Sequence, residues 1–186
     1  MRTFTLNNPN FDIPASGGLL FRWAGLDMEI AHQLAFEEQY LQFQRHLLEN
    51  LQSIPAGNTT YKPSKLSLSV RAGAVKSYIV FACSIIEGAL AAWGESLGLT
   101  SSPGSLYKQT LGGLLRSWEC GGKPRSEVAP IWGHLQLLRE YRNFIHLARA
   151  ASSPDAYWQQ ILDREVELLR AVDESIEYLS SHCNGV

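Results

Sequence analysis

The sequence predicts an all-α fold, a four- to five-helix bundle with an extended N-terminal arm. Apolar residues recur about every 3.6 positions through several long segments, as they do on the buried face of a helix. Short Gly- and Pro-rich stretches separate these segments, and no sustained apolar–polar alternation marks a strand beyond a weak one near the N-terminus. Hydrophobic residues make up 45% of the 186, which is enough apolar material for one core.

Residues 1–26 form the predicted arm, and residues 27–186 form the helical domain. Turn-forming residues at 7–10 and a breaker cluster at 14–18 interrupt the arm. We therefore expect an extended segment, held against the bundle by its large apolar side chains: Phe11, Leu20, Phe21 and Trp23.

Five helices follow, with predicted bounds of about 27–53, 66–97, 105–118, 126–150 and 154–181. The first has an apolar stripe through Leu34, Leu41 and Leu48, which Phe36 and Tyr40 widen. Pro130 is tolerated because it lies near the first turn of the fourth helix. Ser153 followed by Pro154 is typical of a helix start and predicts the last helix.

Charge and cysteine usage exclude several classes of protein. The 16 basic and 18 acidic residues leave a formal charge of −2, which disfavours a protein that coats duplex nucleic acid. The three cysteines are far apart and odd in number, so neither a disulfide framework nor a zinc site is predicted. The N-terminus lacks a signal-peptide pattern, and the apolar stretch 77–98 contains two glutamates, as a buried core helix can. We expect a cytoplasmic protein with no membrane segment.

The segment 137–147, LLREYRNFIHL, carries the candidate chemistry. At about 100° per residue, Arg142, Asn143 and His146 fall within roughly 60° of Arg139, so the four side chains share one stripe of the helix. Packing alone does not require such a stripe, because burying these groups unpaired costs several kcal/mol. The combination suits a phosphodiester: arginine binds the anionic oxygens, histidine transfers a proton near neutral pH, and asparagine orients the ring or the ligand.

This segment resembles the signature helix of HEPN domains, the higher eukaryotes and prokaryotes nucleotide-binding family. Ribonuclease members carry an arginine followed, after four to six residues, by a histidine. Arg139 and His146 are separated by six residues, and Arg142-Asn143 supplies the Arg-Asn pair that often precedes the histidine. Only three residues separate Arg142 from His146, so the motif leaves open which arginine is catalytic. The apolar helix around Glu87 also resembles an earlier helix of these domains, and the resemblance covers roughly residues 27–181.

The resemblance implies a four- to five-helix bundle that commonly forms a homodimer. It also implies a metal-independent endoribonuclease that uses the 2′-hydroxyl of its RNA substrate as the nucleophile and needs no cofactor. The expected role is that of a prokaryotic toxin or antiviral effector, which can have an antitoxin or regulatory protein as a partner. His146 would act as general acid and base, Arg139 and Arg142 would stabilise the phosphate, and Asn143 would orient the histidine or the phosphate.

A structural interpretation competes with the functional one. The two arginines can pair with Glu87, Glu140 or acids of the last helix, and a backbone carbonyl can satisfy His146. Glu87 is a single carboxylate in an apolar run, so its simplest interpretation is a salt-bridge partner for one of these arginines. As a supporting residue of the site it is the less favoured interpretation.

Two other functions remain open beside the ribonuclease. One is a non-catalytic HEPN-like module, in which the same stripe binds a nucleotide or RNA or forms a dimer interface. The other is a helical scaffold protein without a ligand. The negative net charge favours these two slightly, whereas the convergence of arginine, asparagine and histidine favours the first two of the three.

Overall fold

The computed structural model describes residues 16–50, 68–102, 104–120, 123–144 and 154–183. Every regular element within these ranges is helical, which confirms the predicted all-α class. The α-helices are α1 (Ser16–Leu20), α2 (Met28–Asn50), α3 (Leu68–Ser96), α4 (Leu111–Cys120), α5 (Lys123–Val128), α6 (Trp132–Phe144), α7 (Pro154–Asp163) and α8 (Glu165–His182). Short 3₁₀ turns lie at Phe21–Trp23, Leu106–Lys108 and Ala129–Ile131.

Helix α3 is the centre of the bundle. It packs mainly against α2, α7 and α8, and it also contacts α4 and α6. Its small residues Ala72, Ala82 and Ala89 are fully buried, so the neighbouring helices approach closely. The segment Ser69–Ser96 is long and apolar enough to cross a membrane by length and composition, but 56% of its most apolar window is buried inside the protein. This burial agrees with its interpretation as a core helix.

Helix α2 begins as the sequence predicts. The Asp27 carboxylate accepts a hydrogen bond from the Glu29 N–H at 3.0 Å, which caps the first turn. Leu34, Leu41 and Leu48 are buried, as predicted. Phe36 and Tyr40 do not widen this buried stripe, because they lie on the outer side of α2 and are 56% and 50% exposed.

The N-terminal arm differs from the prediction where it is described. It is helical over Ser16–Trp23 rather than extended, and residues 1–15, including Phe11, lie outside the described residues. Trp23 is fully buried and its indole N–H donates to the Glu38 carboxylate at 2.9 Å, so this end of the arm is anchored in the core. Phe21 is 78% exposed and does not hold the arm.

Three of the predicted helices begin late or are divided. The third begins at Leu111, because the backbone at Gln109 is extended (φ −94°, ψ 145°). The fourth is divided into α5 and α6 by a 3₁₀ turn containing Pro130, whose ring nitrogen has no hydrogen to donate to a continuous helix. The last is divided at Arg164, where φ is −111° and ψ is 9°, so α7 and α8 pack separately on α3.

Two glycines of α3 give opposite predictions for stability. A Cβ on Gly94 would lie 2.8 Å from Leu106 Cδ1 and 2.9 Å from Leu99 Cδ1, whereas a Cβ on Gly73 would meet no atom within 4 Å. We expect Gly94→Ala to lower the free energy of unfolding by about 1–3 kcal/mol, because the core must move to accept the methyl group. Gly73→Ala should raise it by up to about 1 kcal/mol, since alanine favours the helix. Urea denaturation measures both, and an unchanged midpoint for Gly94→Ala would contradict the close packing at this end of α3.

Candidate functional site

Helix α6 carries three of the four predicted site residues. Arg142 follows the buried Leu135 and Leu138 by seven and four residues, so it lies on the face of α6 that packs into the bundle. Arg139 is half-buried at the edge of this face, and Asn143 is exposed to solvent. His146 lies outside the described residues, so its predicted place on the same stripe stays a prediction.

Arg142 forms an ion pair with Glu87 of α3. Its Nη2 lies 3.2 Å from Glu87 Oε1 and 3.3 Å from Oε2, and 30% of the arginine side chain and 17% of the glutamate side chain are exposed. This is the partnership that the simplest interpretation of Glu87 predicted. A carboxylate in an apolar helix is tolerated here because a guanidinium group from the next layer reaches it.

Glu87 also binds the N-terminus of α4. The Leu111 N–H donates to the Glu87 carboxylate, and this amide has no partner within its own helix because it belongs to the first turn. Burial raises the pKa of the Glu87 carboxyl, while the Leu111 N–H and Arg142 act in the opposite direction by stabilising its charge. The carboxylate therefore joins α3, α4 and α6 at one point.

Arg139 lies beside the same end of α4. A Cβ on Gly112 would lie 3.6 Å from Arg139 Cδ and 3.8 Å from Cγ, so the arginine stem runs across the first turn of α4 where a glycine leaves room. No hydrogen bond or ion pair joins the Arg139 guanidinium to another described residue. It is thus the cation of the pair whose charge is not already compensated within the described part of the chain.

The electrostatics of this region favour an anion. Two guanidinium groups and the positive end of the α4 dipole face a single carboxylate, Glu87. Among the described residues, no group of three or more His, Cys, Asp or Glu side chains could hold a metal ion. Cys83, one turn before Glu87, is not available as a nucleophile, because burial and the nearby Glu87 charge raise its pKa to about 12. The arrangement can bind an anionic oxygen through arginine and backbone N–H groups.

The sequence reasoning missed two features of the charged interior. It did not identify the first turn of α4 as part of the site, because only the tertiary fold brings Gly112 to Arg139. It also missed Glu38, which is 2% exposed and lies in the apolar stripe between Leu34 and Leu41. The signal was the same as for Glu87, a lone acid on an apolar helix face, and it could have been found.

Comparison with known proteins assigns no family. No protein-family model matches the sequence, and neither a curated protein nor a solved structure matches it significantly. The resemblance to HEPN domains therefore rests on the Arg139–His146 segment and the helix around Glu87.

Proposed function

We propose that the protein is a metal-independent endoribonuclease of the HEPN type, acting in the cytoplasm as a toxin or defence effector. The observation that carries the proposal is the uncompensated Arg139 guanidinium beside the N-terminus of α4, with Arg142 held next to it by Glu87. A phosphodiester is the anion that this set of donors and the nearby His146 suit best.

The proposed reaction transfers a phosphoryl group within the RNA. The 2′-oxygen attacks the adjacent phosphorus, the bond from phosphorus to the 5′-oxygen breaks, and the products are a 2′,3′-cyclic phosphate and a 5′-hydroxyl. His146 takes the proton of the 2′-hydroxyl or supplies one to the leaving 5′-oxygen, and Asn143 orients the histidine or the phosphate.

The geometry divides the work between the arginines. Arg142 is already bound to Glu87, so its side chain is fixed before the substrate arrives. Arg139 has no such partner among the described residues, and we assign it the contact with the phosphate oxygens, where charge accumulates in the transition state.

Cleavage of RNA by the purified chain tests the proposal. We expect cleavage to continue in EDTA, because the proposed chemistry needs only the 2′-hydroxyl, a histidine and two arginines. The products should carry 2′,3′-cyclic phosphate and 5′-hydroxyl ends, which end-labelling and mass spectrometry distinguish. Activity that needs an added divalent metal would show that the proposed site is wrong, and no cleavage across varied RNAs would favour a non-catalytic binding module.

An exposed apolar patch supports the homodimer that we propose as the active form. Phe36 and Tyr40 of α2 are 56% and 50% exposed, Val80 of α3 is 39% exposed, and the Tyr40 ring packs edge-on against Phe81 at 5.0 Å. These four residues join the outer faces of α2 and α3 into one patch, as in many protein interfaces.

Light scattering tests the dimer. We expect a mass of twice 20.7 kDa for the wild type and of one chain for Phe36→Glu, because a charge at the centre of the patch opposes its burial. Phe21→Glu is the matched control, since Phe21 is also exposed but lies outside the patch. A monomeric wild type at micromolar concentration would contradict the dimer.

A further inference from the structure

A second polar region lies on the other side of α3. A cavity of about 340 Å³ opens between α2, α3, α8 and the turn that carries Arg22. Tyr78 lines it, and nine residues separate Tyr78 from Glu87, which places the two on opposite faces of α3 and roughly 14 Å apart along its axis. The cavity is therefore separate from the candidate ribonuclease site, and its volume is that of a pocket for a small molecule.

One side of the cavity is held rigidly by ion pairs. Arg22 Nη1 lies 2.5 Å from Glu38, and its Nη2 lies 2.6 Å from Glu177 and 3.0 Å from the Ser180 hydroxyl. Glu38 also accepts the Trp23 indole N–H at 2.9 Å. Both side chains are thus fully engaged, and this side of the cavity is preorganised.

Arg45, on the other side, has an unmet donor. Its Nε donates to Glu49 at 2.8 Å and its Nη2 lies 3.2 Å from Asp173, which in turn accepts the Tyr78 hydroxyl at 3.3 Å. Arg45 Nη1 is buried and has no hydrogen-bond partner among the described residues. Since a buried guanidinium N–H without an acceptor is costly, the cavity calls for a ligand with an acceptor oxygen at this point.

The remaining charges call for a cation. Two arginines and four carboxylates line the cavity, and three of the acids, Glu49, Asp173 and Glu177, are 60%, 50% and 75% exposed. Burial raises the pKa of Asp173, and the neighbouring acids Glu49 and Glu174 act in the same direction against Arg45 and Tyr78. A cationic group near the mouth would relieve the excess of negative charge.

We propose that this cavity binds a small basic amino acid or a close analogue, whose carboxylate accepts from Arg45 Nη1 and whose ammonium groups face Glu49, Asp173 and Glu177. The two halves of such a ligand match the two unmet features of the cavity, the buried donor and the surplus of carboxylates. This proposal does not depend on the ribonuclease proposal.

Isothermal titration calorimetry of the whole chain with L-lysine tests the proposal. We expect binding at millimolar concentration or tighter, and binding weaker by roughly tenfold or more for 1,5-diaminopentane, which lacks the carboxylate. Acetate alone should not bind detectably, since it lacks the ammonium groups.

Variants locate the ligand. Arg45→Met and Glu49→Gln should each weaken lysine binding by roughly tenfold or more, whereas Glu37→Gln, on the same helix but outside the cavity, should leave it unchanged. Circular dichroism confirms that each variant is folded, and Glu49→Gln decides the matter if Arg45→Met does not fold. No heat of binding with lysine, or equal affinity in a folded Glu49→Gln variant, would overturn the proposal.

Discussion

Replacing His146 with alanine is expected to abolish RNA cleavage. The proposed reaction needs one group that takes a proton and gives it back near neutral pH, and His146 is the histidine of the Arg139–His146 segment. Loss of general acid–base catalysis lowers a rate by roughly 10²–10⁴, which would bring cleavage to the background of the assay. Initial rates on a labelled RNA, measured beside near-ultraviolet circular dichroism of both proteins, give the comparison.

Two further measurements bear on the same residue. The wild-type rate should peak at roughly pH 6–7.5, because the histidine must reach both protonation states during each turnover. If the protein is a toxin, expression of the wild type should stop growth, whereas expression of His146→Ala should not. Undiminished cleavage by a folded His146→Ala protein would remove His146 from the mechanism.

The second largest effect is expected at Arg139. Arg139→Ala should lower the cleavage rate by a factor on the order of 10²–10³, because it removes a charged donor from the phosphate in the transition state. Arg139→Lys should restore only part of the rate, since an ammonium group cannot make the paired contact of a guanidinium group. The loss should appear in kcat more than in KM if the contact strengthens in the transition state.

Arg170→Ala serves as the control for Arg139→Ala. Arg170 lies on α8, is 66% exposed and has only a distant ion pair with Glu174 at 3.8 Å, so its removal should leave the rate unchanged. Equal losses in both variants would indicate a general charge effect on RNA binding. An unchanged rate in Arg139→Ala would instead assign the phosphate contact to another residue.

Local sequence patterns were sufficient to predict the helical class and the longest elements. The recurrence of Leu34, Leu41 and Leu48 predicted the buried face of α2, and Asp27 marked its start. The break at Pro130 could have been predicted more sharply, because proline cannot donate within a continuous helix. The exposure of Phe36 and Tyr40 could not, since periodicity gives the width of an apolar stripe but not the number of neighbours that cover it.

The candidate site divides in the same way. The sequence by itself determined that Arg139, Arg142 and Asn143 occupy one helix, and that a lone acid such as Glu87 needs a cation, because helical periodicity and the cost of burying a charge are local properties. Only the tertiary structure decided that Glu87 takes Arg142, and that Arg139 instead crosses Gly112 at the start of α4. It alone brought Arg45 to Asp173, 128 residues later in the chain, around one cavity. These choices depend on how α2, α3, α4, α6 and α8 pack, and packing is set by contacts between residues far apart in sequence.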